Sequence, residues 1–256
     1  MLSLEFNLFF AIFLIVAAPF AGSFLGLAFN RMPNRQSVVW GRSRCDHCHV
    51  CIPLQDLLPV IGWLRLAGRC RRCGAEIGLA PLAFELAALL IAVWALSVLP
   101  TALVVPGFCL GLALLLLSAT DAVSMRLPDI LTLPLIPAGI AVNGLLLPER
   151  LIDSIAGAAT GFGVLCLIAG LYRILRGRLG LGFGDVKLYS AAGAWVGWQG
   201  LPFVMLIAAA GGLIFVLALL VRGEANIMRR AFPFGPFLAM GFWLVWLYWP
   251  ALYVGT

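Results

Sequence analysis

The chain has 256 residues, 63% of them hydrophobic and only 11% charged, with a mean hydropathy of +1.06. Soluble domains carry about 25% charged residues, so this composition excludes a soluble globular domain and a disordered tail protein. Its 28 glycines follow no Gly-X-Y period, which excludes collagen. A formal net charge of +6 raises the question of nucleic-acid binding, which the placement of the basic residues answers.

At about 20 residues per membrane-spanning helix, the apolar residues suffice for about eight spans, so the expected fold is an all-α polytopic membrane protein. The first apolar stretch runs from Phe6 to Phe29. It is longer than the apolar region of a cleavable signal peptide and has no basic flank before it, so it reads as a membrane helix. A polar segment follows, from Asn30 to Gly78, with Arg31, Arg35, Arg42, Arg44, Arg65, Arg69, Arg71 and Arg72 and five of the seven cysteines. Further apolar runs cover 80–99, 101–120, 128–147, 151–172, 186–199, 201–221 and 232–254. The tract 186–221 makes two spans only if Gly197-Trp198-Gln199-Gly200 turns the chain.

Lys and Arg accumulate in cytoplasmic loops. If the 30–78 segment is cytoplasmic, every second loop is too, which puts Arg126, Arg173, Arg176, Arg178, Lys187, Arg222, Arg229 and Arg230 on the same side. Of the basic residues only Arg150 lies opposite. Topology and attraction to the anionic lipid bilayer then account for the net charge, and nucleic acid is not expected as a partner.

Cys45-Asp46-His47-Cys48 and Cys70-Arg71-Arg72-Cys73 are two C-x2-C pairs. Each such turn presents two sulfurs to one ion, and the loop between brings the second pair round to complete a tetrahedral zinc site. A reducing cytosolic side argues against disulfides. Cys45, Cys48, Cys70 and Cys73 are therefore the expected ligands of a structural Zn2+. Cys51, His47 and His49 are competent ligands nearby. Cys109 and Cys166, within apolar runs, read as small packing residues.

Ionisable side chains on membrane helices are costly and invite a functional reading. Here they are Glu85, Asp121, Asp129, Asp153 and Asp185. Asp121 closes the third span and Asp185 opens the sixth, so both lie at the cytoplasmic boundary. Two carboxylates held together cannot both ionise, which suits general acid/base hydrolysis. Equally, Asp185 can serve as a helix N-cap after a glycine turn and Asp121 as a boundary charge. Neither H-E-x-x-H nor G-x-S-x-G occurs.

Five segments in order resemble the bacterial type IV prepilin peptidases. They are Gly22-Ser23-Phe24-Leu25 with Arg31-Met32-Pro33, the two C-x2-C pairs, Asp121 with Leu127-Pro128-Asp129, Gly182-Phe183-Gly184-Asp185, and Phe232-Pro233-Phe234-Gly235-Pro236-Phe237. The resemblance implies that Asp121 and Asp185 are catalytic aspartates of a leader peptidase in the bacterial inner membrane. Such an enzyme removes the basic leader of a prepilin or pseudopilin after a glycine, on the cytoplasmic side. It then methylates the new amino terminus with S-adenosyl-L-methionine. The implied parts are a first transmembrane helix (1–29), a cytoplasmic zinc-binding domain (30–79) and a seven-helix transmembrane catalytic domain (80–256). Asp46, Gly26, Cys51 and His49 depart from the family pattern. By helix dipoles alone, Asp185 at a helix N-terminus is expected to be the initial base and Asp121 at a C-terminus the initial acid. The alternative reading is a proton-coupled transporter with intramembrane aspartates, and a third is a secretion scaffold that docks partners through its zinc loop.

Overall fold

The computed structural model describes residues 2–32, 37, 43–45, 47–177, 182–223 and 232–253. Asp46, Arg35, Arg42, Arg178, Arg229, Arg230 and Pro33, which the sequence reading used, lie outside the described residues. The chain divides into two compact units, Met1–Ser97 and Val98–Thr256.

The first unit holds α1 (Leu2–Arg31), the short α2 (Ile61–Arg65) and α3 (Ala80–Val98). Between α1 and α3 the sequence contains no run of apolar residues long enough to cross a membrane, and its described residues include four clustered cysteines. Helices α1 and α3 approach closely at Gly22, where a Cβ would lie 2.7 Å from the Glu85 Cα and collide with the Phe84 carbonyl.

The second unit consists of α4 (Thr101–Ser124), α5 (Asp129–Leu146), α6 (Leu151–Arg176), α7 (Phe183–Val196), α8 (Leu201–Val221) and α9 (Gly235–Tyr253). Its centre is α7, which packs against α5, α6, α8 and α9 and is buried from Val186 to Val196 except at Lys187. A helix that deep must bring its polar atoms to partners. Ser190 Oγ donates to the Ala158 carbonyl of α6 at 2.9 Å, and Trp195 Nε1 to the Leu135 carbonyl of α5 at 2.8 Å. At the C-terminal end of α7, Asn143 Nδ2 and Ser154 Oγ donate to the Ala194 carbonyl at 2.9 and 2.5 Å. Small residues let α6 and α7 meet backbone to backbone: a Cβ on Gly193 would strike the Gly157 carbonyl, and one on Gly157 the Gly193 carbonyl.

Among the described residues, six helices are long and apolar enough to cross a membrane, with bounds Leu8–Arg31, Ala80–Val98, Thr101–Ser124, Asp129–Leu146, Pro148–Arg176 and Leu201–Val221. The tract 186–221 does break where the glycines suggested. Helix α7 ends at Val196 and α8 begins at Leu201, with Gly197 at φ 76° between them. Among the described residues no β-strand forms, only two isolated bridges.

Candidate active site

Helix α4 ends because Met125 adopts the left-handed conformation (φ 51°) and donates its N–H back to the Asp121 carbonyl at 2.8 Å. Asp121 thus sits in the last full turn, 5% exposed. Its carboxylate Oδ2 accepts the backbone N–H of Gly235, the first residue of α9, at 2.9 Å. Glycine is needed there: a Cβ at 235 would lie 2.7 Å from Oδ2 and 2.9 Å from Cγ.

Asp185 occupies the first turn of α7 and is 9% exposed. The two glycines before it do different jobs. Gly182 sits against the carboxylate, with its Cβ position 3.2 Å from Asp185 Oδ2, and Gly184 admits the Leu127 side chain, whose Cβ is 2.8 Å from where a methyl would stand. The α4–α5 link thereby packs on the start of α7. Asp121 and Asp185 lie within electrostatic reach of one another. The structure therefore brings together three of the five motif segments: the ends of α4 and the starts of α7 and α9 meet around two buried carboxyls.

The other ionisable candidates are elsewhere. Asp129 pairs with Lys187 at 2.6 Å, and the ammonium also lies 4.9 Å from the centre of the Phe183 ring. Asp153 accepts the Trp198 indole N–H at 3.2 Å, beyond the opposite end of α7 from Asp185. Glu85 is in the first unit, where Oε2 accepts the Val60 N–H at 2.7 Å.

The cysteines in the first unit form a second centre. Sulfurs of Cys45, Cys48, Cys70 and Cys73 all lie within 4.8 Å of one another, with Cys45–Cys73 at 3.8 Å and Cys48–Cys70 at 4.0 Å. Zinc–sulfur bonds of about 2.3 Å demand a tetrahedron with edges of about 3.8 Å, so the set fits that ion. The two knuckles repeat one pattern. A bridge pairs the residue before the first cysteine with the third residue after the second, as Arg44 with Cys51 and Arg69 with Glu76. Cys51 therefore holds the place of Glu76, outside the four-sulfur cluster. His49 (φ 56°) holds the left-handed position filled by Gly74 (φ 70°) in the other knuckle, and neither histidine joins the cluster. Backbone N–H groups of Cys73 and Arg72 pull the Cys70 thiol down to about 6. The Ala75 N–H favours the Cys73 thiolate, yet burial and the neighbouring thiols outweigh it and push Cys73 up to about 11.

The model of the bacterial peptidase A24 N-terminal domain matches residues 16–99, and that of the type IV leader peptidase family matches residues 108–217. A prepilin leader peptidase/N-methyltransferase of Burkholderia pseudomallei (strain 1026b) is 40% identical over 211 residues, 82% of this chain and 68% of that protein. The chain belongs to the type IV leader peptidase family. Others of that name, from Aeromonas salmonicida (strain A449) and Dickeya chrysanthemi, are 37% and 38% identical, covering 84% of this chain and 74% and 76% of theirs. No solved structure matches. The region matched to the leader peptidase family contains Asp121 and Asp185, and the N-terminal region contains all four clustered cysteines and Glu85.

One feature of the site was beyond sequence reasoning. The Gly235 amide as a partner of Asp121 had its only signal in the Phe-Pro-Phe-Gly-Pro-Phe segment, which carries no reactive side chain. Its consequence is chemical. Asp121 faces the N-terminus of α9 as well as closing α4, so the dipole of α4 alone does not divide the roles of the pair.

Proposed function

We propose that this chain is a membrane aspartic endopeptidase that removes the basic leader from type IV prepilins or pseudopilins and then methylates the exposed amino terminus. The observation that carries the reading is the convergence of Asp121 and Asp185 at helix ends, within electrostatic reach. The names of the family relatives agree with it. A proton-relaying transporter calls for carboxylates along the middle of its helices. These two sit where a site can open to water.

Asp121 and Asp185 share one proton. Each carboxyl has a backbone N–H beside it, Asp121 that of Gly235 and Asp185 that of Gly182, and we assign the base to Asp121, whose amide opens α9. Asp121 takes a proton from water, the hydroxide oxygen bonds to the scissile carbonyl carbon, and Asp185 gives its proton to the carbonyl oxygen. The tetrahedral diol collapses as the proton held by Asp121 passes to the leaving amine, and the hydroxyl proton returns to Asp185. This reverses the assignment expected from helix dipoles alone, with the amide that opens α9 set against the terminus of α4.

The four-cysteine cluster holds a structural zinc ion that organises a segment too small to fold on a core of its own. S-adenosyl-L-methionine supplies the methyl group for the second activity. Within the bacterial inner membrane the chain makes eight spans, α7 and α9 adding to the other six, with the zinc-binding part on the cytoplasmic side. At 14 residues α7 extends about 21 Å, less than the about 30 Å of hydrocarbon, which sets one of its ends within the slab.

The test is incubation of the purified protein with a full-length prepilin, followed by mass spectrometry. The expected products are a leader cut after its glycine and, with labelled S-adenosylmethionine, a methylated mature terminus. A prepilin left intact under conditions in which a relative processes it would overturn the proposal.

A further inference from the structure

Within the first unit a cavity of about 780 Å³ is lined by residues of α1, the zinc knuckles, the 53–66 segment and the start of α3. That volume is in the range of pockets that enclose a cofactor-sized ligand, about 300–1,000 Å³. Its lining includes Ser23, Asn30, Arg44, Trp63, Arg72 and Glu85.

Glu85 is the unusual member. It is 5% exposed, and the oxygens of a carboxylate this deep must meet water or a polar partner. The Val60 N–H takes Oε2, and among the described residues no hydrogen bond or ion pair reaches Oε1.

The way Glu85 is held points the same way. Val60 has φ 61° and ψ −54°, and the Ile61 N–H donates to the Pro59 carbonyl at 2.6 Å, so Pro59-Val60-Ile61 is a γ-turn of the rare positive-φ kind. A β-branched residue in that conformation is strained, and such strain persists where the surroundings over-determine it. Here it frees one backbone N–H to fix one carboxylate oxygen. Gly22 of α1 lies against the Glu85 backbone with no room for a side chain. The Val60 amide thus fixes one carboxylate oxygen and Gly22 the backbone that carries it, leaving the other oxygen for a ligand.

We propose that this cavity binds the methyl donor, with Glu85 Oε1 taking its ribose hydroxyls or facing its sulfonium charge. S-adenosylmethionine joins a cation, a vicinal diol, a purine and an amino-acid carboxylate in one molecule. The cavity offers a carboxylate for the first two, the Trp63 ring as an apolar surface for the purine, and the guanidinium groups of Arg44 and Arg72 for the carboxylate. The proposal rests on the methyltransferase part of the function above.

The test uses the full-length, zinc-loaded protein in nanodiscs. Titration calorimetry with S-adenosylhomocysteine measures binding. Ultraviolet cross-linking with S-adenosylmethionine, digestion and mass spectrometry locate it. The adduct is expected on a lining residue between 23 and 85, and Glu85→Gln should weaken binding at least tenfold. Gly26→Leu, whose new side chain starts from a Cβ position with ordinary 3.5 Å clearance and fills the cavity, should do the same if Glu85→Gln fails to elute as a single zinc-loaded species. An adduct within 98–256, or wild-type affinity in both variants, overturns the cavity while leaving the methyltransferase reading intact. So does methylation by a protein whose cavity yields only phospholipid. A wild-type protein that neither binds the donor nor methylates a cleaved prepilin overturns both.

Discussion

Replacing Gly235 by alanine isolates the contact that orients Asp121. The new methyl would stand 2.7 Å from Oδ2 and 2.9 Å from Cγ, nearer than side-chain carbons approach such atoms. The Gly235 backbone cannot retreat easily, since it opens α9 and is buried. The Asp121 side chain must therefore swing away and give up its 2.9 Å bond to the amide. A hydrogen bond to a charged group is worth about 1.5–3 kcal/mol. At about 1.4 kcal/mol per tenfold in rate, Gly235→Ala should lower the cleavage rate about 10- to 100-fold. Because the loss falls on the base and not on substrate contacts, it should appear in kcat with KM little changed. Single-turnover cleavage of a purified prepilin at saturating enzyme gives the rate directly. Gly163→Ala is the control, since no atom lies within 4 Å of a Cβ at that position, and it should cleave at the wild-type rate. Wild-type cleavage by Gly235→Ala would refute the view that this amide positions Asp121.

Serine in place of Cys45, Cys48, Cys70 or Cys73 should each lose the single zinc measured by atomic emission, whereas Cys51→Ser should keep it. Lowering the pH should weaken the metal, because Cys73, held up to about 11, and Cys70, at about 6, must both shed protons to bind it. Affinity that is flat with pH would contradict thiolate ligation. His49→Gly should raise the stability of the zinc-bound protein by about 0.5 kcal/mol, the left-handed penalty of about 1–2 kcal/mol less the backbone entropy of glycine. A lower melting temperature would instead give the imidazole a structural role. Gly193→Ala should destabilise by about 1–3 kcal/mol, read from thermal melting in detergent, since its methyl strikes the Gly157 backbone and parts α6 from α7. An unchanged melting point would mean that these helices do not meet as described.

Much of this architecture was legible because hydropathy and cysteine spacing are local signals. An apolar run announces a membrane helix wherever it packs, and two C-x2-C knuckles announce four converging sulfurs. The turn at Gly197–Gly200 was legible for the same reason, since glycine and polar residues interrupt an apolar tract. Contacts across the fold were not. Glycine at 235 looks the same as glycine at 163, yet one donates to a carboxylate and the other meets nothing. Nor does spacing separate Cys51 from its neighbours, because the symmetry of the two knuckles, which puts it opposite Arg44, exists only in three dimensions. The Val60 turn likewise left no mark, since a β-branched valine ordinarily reads as extended chain.

The central claim is that two carboxyls 64 positions apart form one acid/base pair. Asp121→Asn and Asp185→Asn each keep the size of the side chain and remove its titratable proton. Purified in parallel and shown to match the wild-type melting temperature, each should leave a prepilin uncleaved after an incubation in which the wild-type protein processes all of it. Measurable leader release by either folded variant would contradict the account.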